Sequence, residues 1–309
     1  MSAAAPGERA GGLVPPLLMA MRPYQWPKNV VVFAAFVFSA GEAWTPGDPD
    51  SWWPLLWRSL VLFGLWCLAA SATYLLNDVR DREADRLHPR KRLRPIASGR
   101  LRTGTALGAA AVLAVVSIPA AIVLDRVAGL VLAGYVVLMA LYSLELKRVA
   151  ILDILLLGAG VVGRAVSGAA AIEVDISPWL YVCSSFAAFF VATTKRWAEF
   201  RQLGPEAAKH RPSLAAYNAE VLELMLGVSA AGALLSYSLY TIESARVPAD
   251  GSMALTIPFV AFGLFRFLLL MSGPRQAEAP DRVLFTDPQV LLAVAGFTAT
   301  ALAVLVAHR

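Results

Sequence analysis

Apolar residues in this chain gather into long runs separated by short polar stretches. Nine runs stand out, at 29–44, 55–76, 103–124, 127–144, 150–172, 177–194, 219–241, 254–271 and 289–307. Most approach the roughly 20 residues a helix needs to cross a bilayer, and the first is the shortest. Lipid cannot satisfy backbone N–H and C=O groups, so each run is expected to be helical. The pattern predicts an all-α integral membrane protein with nine transmembrane helices. The connections are short, so residues 1–309 read as a single membrane domain whose first part, 1–28, is a cytoplasmic segment.

The basic residues then set an orientation. With the N-terminus placed in the cytoplasm, 21 of the 27 Lys and Arg fall on the inner side and three on the outer, the last three lying within runs. Positive charge collects on the cytoplasmic face, so the N-terminus is expected inside and the C-terminus outside. Residues 1–28 lack the pattern of a signal peptide. Leu13, Leu17, Leu18 and Met21 suggest a short interfacial helix, interrupted by Pro15-Pro16.

Composition agrees with the membrane reading. The chain is 58% hydrophobic and 16% charged, with a mean hydropathy of +0.62. That excludes a soluble globular protein and points to a multi-pass plasma-membrane protein. The net charge of +5 follows from the inner loops, and no nucleic-acid partner is expected. Cys67 and Cys183 both lie in apolar runs, so neither a disulfide framework nor a thiolate metal site is indicated.

The polar chemistry sits in the two longest inner loops, 77–102 and 195–212. The first opens with Asn77-Asp78-Val79-Arg80-Asp81-Arg82-Glu83-Ala84-Asp85 and runs into Arg90-Lys91-Arg92-Leu93-Arg94. On a helix, Asn77, Asp78, Asp81 and Asp85 fall within an arc of about 100°, with Tyr74 on the same face and Glu83 elsewhere. Carboxylates converging in this way repel one another unless a cation sits between them. One or two carboxylates together with substrate phosphates are the usual ligands of Mg²⁺, and the basic run supplies donors for phosphate oxygens. A magnesium–diphosphate site at a membrane surface is therefore expected, with Asn77, Asp78, Asp81 and Asp85 as candidate metal ligands. The bland alternative is a solvated loop balanced by Arg80, Arg82 and Arg86.

The second loop opens with Lys195-Arg196-Trp197-Ala198-Glu199. Tyr142, Lys147 and Arg148 lie at a third inner junction, and Lys28 and Asn29 at the inner end of the first run. Together these junctions are expected to form one polar mouth. Topology alone would place many Lys and Arg there, and Arg90, Arg100, Arg102, Arg201 and Arg211 need no further role. Lys28, Lys91 and Lys195 are favoured as phosphate ligands. Arg164, midway along its run, needs a partner: a substrate phosphate or a carboxylate such as Asp153. Arg266 either snorkels or meets a lipid phosphate. Arg58, after Trp52, Trp53 and Trp57, reads as an outer-interface anchor.

Several of these residues resemble the UbiA superfamily of intramembrane prenyltransferases. The resemblance rests on Arg22-Pro23-Tyr24-Gln25-Trp26-Pro27-Lys28-Asn29, on the motif at 77–85, on Arg94-Pro95 with Gly99, and on Tyr142-Ser143-x-x-x-Lys147. It implies a UbiA-like bundle of nine helices around a central cavity. The prenyl-diphosphate transferases of that superfamily carry a second Asp-rich motif after the sixth helix. Here that position reads Lys195-Arg196-Trp197-Ala198-Glu199, two cations and one carboxylate.

The departure is similar to the decaprenyl-phosphate phosphoribosyltransferase branch. That branch moves phosphoribose from 5-phosphoribosyl 1-diphosphate to a polyprenyl phosphate, for arabinan cell-wall precursors. The resemblance then implies Mg²⁺ as cofactor and Asp78, Asp81, Asp85 and Lys195 as catalytic. Lys28, Tyr74, Lys91, Arg92, Tyr142, Lys147, Arg164, Arg196, Glu199 and Arg266 are implied as substrate-binding. Two rivals remain: a UbiA-type prenyltransferase with an aromatic or lipid acceptor, and a polyprenyl-phosphate transporter. Helix faces rich in Gly and Ala serve packing and association alike, which leaves a homo-oligomer open.

Overall fold

Long apolar helices make up most of the residues described by the computed structural model, which are 15–88, 91–175, 178–204, 212–244, 247–272 and 286–307. In chain order they are α1 (Pro16–Met21), a 3-10 helix (Pro23–Phe33), α2 (Ala34–Phe38), α3 (Pro49–Arg80), α4 (Arg82–Leu87) and α5 (Thr103–Leu124). Then come α6 (Arg126–Leu144), α7 (Leu152–Ala171), α8 (Pro178–Leu203), α9 (Ala219–Glu243), α10 (Ile257–Ser272) and α11 (Pro288–Ala307). Among the described residues the only strand-like pairing is an isolated bridge between Ala40 and Trp44.

Among the described residues, seven helical segments are long and apolar enough to cross a membrane: α3, α5, α6, α7, α9, α11 and Ser252–Met271. Two of the nine expected spans fall outside that set. The sixth run is a continuous helix, α8, but Trp179, Tyr181, Ser184, Ser185, Thr193 and Thr194 dilute its apolar character. The first run is not one α-helix. Its start belongs to the 3-10 helix, which carries Pro27 within it, and its later part to α2, followed by the Ala40–Trp44 turn. Proline removes an N–H and crowds the preceding turn, which accounts for the broken α geometry. At about 2.0 Å per residue the 3-10 form also advances further than an α-helix of equal length.

The short helix expected near the N-terminus is present as α1, beginning directly after Pro15 with Pro16 in its first turn. Leu13 lies outside the described residues. Exposed apolar side chains such as Val115 (71% exposed) and Val123 (87%) line the outer face of α5. In water such a face would be a liability, whereas lipid is its natural solvent.

The helices close on apolar clusters. Leu62, Leu65, Trp66 and Ala69 of α3 pack with Leu132 and Tyr135 of α6 and Val32 of the 3-10 helix. Trp66 is fully buried and donates its indole N–H to Ser167 Oγ at 2.8 Å. A second cluster joins Ile154, Phe190, Trp197, Leu222, Leu226 and Phe267 from α7 to α10. The 3-10 helix seats against α7 at Gly168, where a Cβ would lie 2.1 Å from the Val32 carbonyl oxygen. Only glycine permits that approach.

One length positions the chemistry. With 32 residues, α3 extends about 48 Å at 1.5 Å per residue, well beyond a hydrocarbon core of about 30 Å. Its final turns carry the polar residues Asn77 and Asp78.

Candidate active site

Asp81 is where α3 gives way to α4. It caps α3 with its own N–H bonded to Asn77 O at 2.9 Å, and its carbonyl accepts from Asp85 N–H at 2.8 Å. Hydrogen bonding continues through the bend, but the motif does not lie on one straight helix. The expected arc of carboxylates is accordingly split into two settings.

Asp78 faces the protein, and Asp85 lies nearly enclosed between the protein and the cavity it borders. Asp78 is 2% and Asp85 3% exposed. The Arg94 guanidinium stands between them, 3.1 Å from Asp78 and 2.7 Å from Asp85. Arg22 adds a second ion pair to Asp78 at 2.5 Å. Arg22 adopts a left-handed conformation (φ 55°) just past the end of α1, and its guanidinium lies 5.2 Å from the Tyr74 ring centre. The cation that the convergence of carboxylates demanded is thus supplied, for these two, by arginine. Among the described residues no cluster of three or more His, Cys, Asp or Glu is poised around a metal position.

Asp81 faces open space. Its carboxylate pairs with Lys147 at 2.5 Å and keeps 29% of its side chain exposed. Both residues line a cavity of about 470 Å³ bounded by the end of α3, by α4, by the 3-10 turn Leu146–Arg148 and by the end of α8. Asp85 and Glu199 also border it, as do Arg80, Lys91 and Arg148. Opposed carboxylates and cations in one cavity suit a polyanion bridged to a metal. Two carboxylates on one wall, Asp81 and Asp85, match the ligand number Mg²⁺ takes from protein when phosphates complete its shell.

Beside this cavity lies a buried polar network. Arg196, 4% exposed, pairs with Asp153 at 2.8 Å and Glu199 at 2.5 Å, and donates to Tyr142 Oη at 2.9 Å. Asp153 is fully buried and also accepts from Ser213 Oγ and Tyr217 Oη, each at 3.0 Å. Burial and then the neighbouring Asp153 push the Tyr217 phenol up to about 12, so it remains a donor at neutral pH. Its oxygen accepts from Ile151 N–H at 2.5 Å. Ile151 itself has φ 67° and ψ −50°, a strained turn for a β-branched residue. The network thus clamps the start of α7 to α8, α6 and the Pro212–Ala216 turn.

The structure therefore sorts the expected residues. Asp81, Asp85, Lys91, Lys147 and Glu199 come together at the cavity. Asn77 sits one turn before Asp81 on α3, and Lys195 lies half-buried on α8 one turn before Glu199. Tyr142 and Arg196 belong to the buried network instead, because Asp153 captures the guanidinium. Tyr74 meets Arg22, and Arg92 is exposed on the Lys91–Leu93 turn. Lys28, on the 3-10 helix, bonds Gln25.

Arg164 is held away from both the cavity and Asp153. It donates to Asn29 Oδ1 at 2.7 Å and to the Gly160 carbonyl, and stacks 4.6 Å from the Trp66 ring. Arg266 pairs with Asp287 at 3.0 Å, at the start of α11. Arg58 bonds the Ala171 and Leu124 carbonyls, tying the ends of α7 and α5 to α3.

Arg94 and Arg22 were not singled out from the sequence as partners of the acidic motif. Their presence in the Arg22–Asn29 and Arg94-Pro95 stretches was the available signal. Arg80 and Arg148 at the cavity were likewise indistinguishable from ordinary loop cations.

Known proteins place the chain further. Residues 30–287 match the sequence model of the UbiA prenyltransferase family. A decaprenyl-phosphate phosphoribosyltransferase of Mycolicibacterium smegmatis is 33% identical over 286 residues, 88% of each chain. One from Corynebacterium glutamicum is 33% identical over 275 residues, covering 88% of this chain and 81% of the relative. Among solved structures, a UbiA homolog from Archaeoglobus fulgidus bound to GPP and Mg²⁺ superimposes with a TM-score of 0.70, covering 94% of this chain and 99% of that one at 16% identity.

Proposed function

The chain belongs to the UbiA prenyltransferase family, a family of membrane transferases, and on that premise we propose that it transfers 5-phosphoribose from 5-phosphoribosyl 1-diphosphate to a polyprenyl phosphate. The observation that carries this reading is the charge layout of the cavity. Arg80, Lys91, Lys147 and Arg148 border it, and the α8 side offers a single carboxylate, Glu199, already paired with Arg196. A prenyl diphosphate with a neutral acceptor brings two phosphates. The phosphoribosyl reaction brings four, and calls for more fixed positive charge and fewer carboxylates. The names of the relatives above support the same choice.

Asp81 is the residue that would hold Mg²⁺ directly, with Asp85 joining it from the same wall only by giving up its bond to Arg94, and the ion would supply charge neutralisation on the diphosphate. Asn77, one turn before Asp81 on the same helix, would assist. Lys147 would exchange its bond to Asp81 for a phosphate oxygen when donor arrives, joined by Arg148, Lys91 and Lys195. The lipid phosphate oxygen attacks C1 of the ribose as the C1–O bond to diphosphate breaks, and diphosphate leaves with that electron pair. A phosphate monoester has a second pKa near 6, so no side chain is required to take a proton from the nucleophile. Positioning and electrostatics carry the catalysis. The site would open to the cytoplasm of the plasma membrane, and the product would feed arabinan cell-wall precursors.

Calorimetric titration of the purified protein tests the donor. Phosphoribosyl diphosphate with Mg²⁺ should bind saturably, and EDTA should abolish the heat. Saturable binding of geranyl diphosphate with none of phosphoribosyl diphosphate would overturn the reading in favour of prenyl transfer.

A further inference from the structure

We infer that Glu199 accepts hydrogen bonds from the ribose hydroxyls of the donor, and so makes the cavity selective for a sugar diphosphate; this rests on the phosphoribosyl-transfer reading. Glu199 borders the cavity from α8 with 25% of its side chain exposed, whereas Asp81 and Asp85 border it from the α3–α4 side. Asp81 and Asp85 suit a metal, and the surrounding Lys and Arg suit phosphate oxygens. A further carboxylate repels a polyanion. Its place at this wall calls for a ligand group other than phosphate.

A carboxylate takes either a cation or a hydrogen-bond donor. Arg196 already stands 2.5 Å from Glu199 Oε2. It is fixed there by fully buried Asp153 at 2.8 Å and by its bond to Tyr142 Oη at 2.9 Å. A divalent ion at Glu199 would face that immobile guanidinium and be repelled. Among the described residues no three of His, Cys, Asp or Glu gather as metal ligands, so Glu199 does not join an ion held by Asp81 and Asp85. A hydroxyl meets neither obstacle. A carboxylate offers about four acceptor sites over its two oxygens, so Arg196 orients Glu199 without saturating it.

Only one partner in the reaction carries alcohol groups. Phosphoribosyl diphosphate has free hydroxyls on C2 and C3 of the ribose, whereas a polyprenyl phosphate has none, and neither has a prenyl diphosphate. A preoriented acceptor left unfilled by the wrong ligand discriminates strongly against it. Glu199 therefore favours the sugar donor twice, by bonding its hydroxyls and by repelling a diphosphate that brings none. Asp153 is the positioning residue behind it: fully buried itself, it holds Arg196, and Arg196 holds Glu199.

The test uses a carbocyclic analogue of phosphoribosyl diphosphate, in which a methylene replaces the ring oxygen so that the bond at C1 does not break. Calorimetry with Mg²⁺ compares this analogue, its counterpart lacking both ring hydroxyls, and inorganic diphosphate. The proteins are wild type, Glu199→Ala and Glu199→Gln, each followed by a thermal melt. Wild type should bind the hydroxylated analogue about tenfold or more tighter than the other. That ratio should vanish in Glu199→Ala and shrink in Glu199→Gln, whose amide oxygen still accepts but carries no charge. Magnesium diphosphate should bind the variants no more weakly than wild type. Glu199→Gln, which keeps the shape, carries the comparison should Glu199→Ala melt early. No preference for the hydroxyls in wild type, or one kept in full by both variants, would overturn the assignment. A parallel loss of diphosphate binding would overturn it too, by tying Glu199 to the metal or the fold. Each of these results leaves the transfer reading standing. Wild type that binds geranyl diphosphate and neither analogue would instead overturn the transfer reading, and this assignment with it.

Discussion

Lys147 Nζ lies 2.5 Å from Asp81 Oδ1, joining the bend after α3 to the turn before α7 across the mouth of the cavity. Asp81 is the one carboxylate of the 77–85 motif held by a lysine rather than by Arg22 or Arg94. A part-exposed pair of this kind contributes only about 0–1 kcal/mol to stability. Its importance should be kinetic. Asp81→Asn is expected to lower kcat/KM for transfer by about 100-fold or more, with the melting temperature within about 3 °C of wild type. Steady-state rates and a thermal melt on one preparation check both halves.

Arg94 should behave in the opposite way. It sits between Asp78 and Asp85, both nearly inaccessible. Removing one partner of a buried pair strands the remaining charge, and Arg94→Ala should cost about 2–3 kcal/mol, less than for a fully enclosed pair because Arg22 still holds Asp78. The measurement is a thermal melt in detergent. A melt indistinguishable from wild type would show that Asp78 and Asp85 do not depend on Arg94.

Adjacent cations on α8 are expected to separate cleanly. Arg196→Ala leaves Asp153 fully buried without its guanidinium and should destabilise by about 3–5 kcal/mol. Lys195→Ala should instead weaken donor binding about tenfold or more with little change in the melt, and Lys91→Ala should do the same. Titration calorimetry and melts on the three variants decide this. Equal loss of binding and stability in Lys195→Ala would assign it a structural role.

Glu199→Asp should not confer prenyl transfer. Glu199 is committed to Arg196, and no second Asp-rich motif surrounds it. Formation of a prenylated product from geranyl diphosphate by that variant would contradict the use made of this departure.

The helical architecture was readable because apolar runs of bilayer length leave the backbone little choice. The first run misled by continuity of hydrophobicity: Pro27 breaks the α pattern there, and a 3-10 helix carries the chain instead. At the site, the motif 77–85 marked the right place, and Asp81, Asp85, Lys91, Lys147 and Glu199 do share one cavity. What the spacing could not give was the partner of each charge. Arg196 is captured by Asp153, 43 positions earlier in the chain, and Arg164 by Asn29, 135 positions earlier. A helical wheel places side chains on faces but does not say which faces meet. Nor does it foresee the break between α3 and α4 at Asp81, or that Arg94 takes both Asp78 and Asp85 while Lys147 takes Asp81.

The central claim is phosphoribosyl transfer to a lipid phosphate, and a partition assay addresses it most directly. Purified protein in liposomes is incubated with ribose-labelled phosphoribosyl diphosphate, decaprenyl phosphate and Mg²⁺, then extracted with organic solvent. Label should pass into the organic phase in a time-dependent manner, stop with EDTA, and fall away in Asp81→Asn. Label that stays in the aqueous phase, while the same preparation attaches a prenyl group from prenyl diphosphate to an aromatic acceptor, would contradict the account.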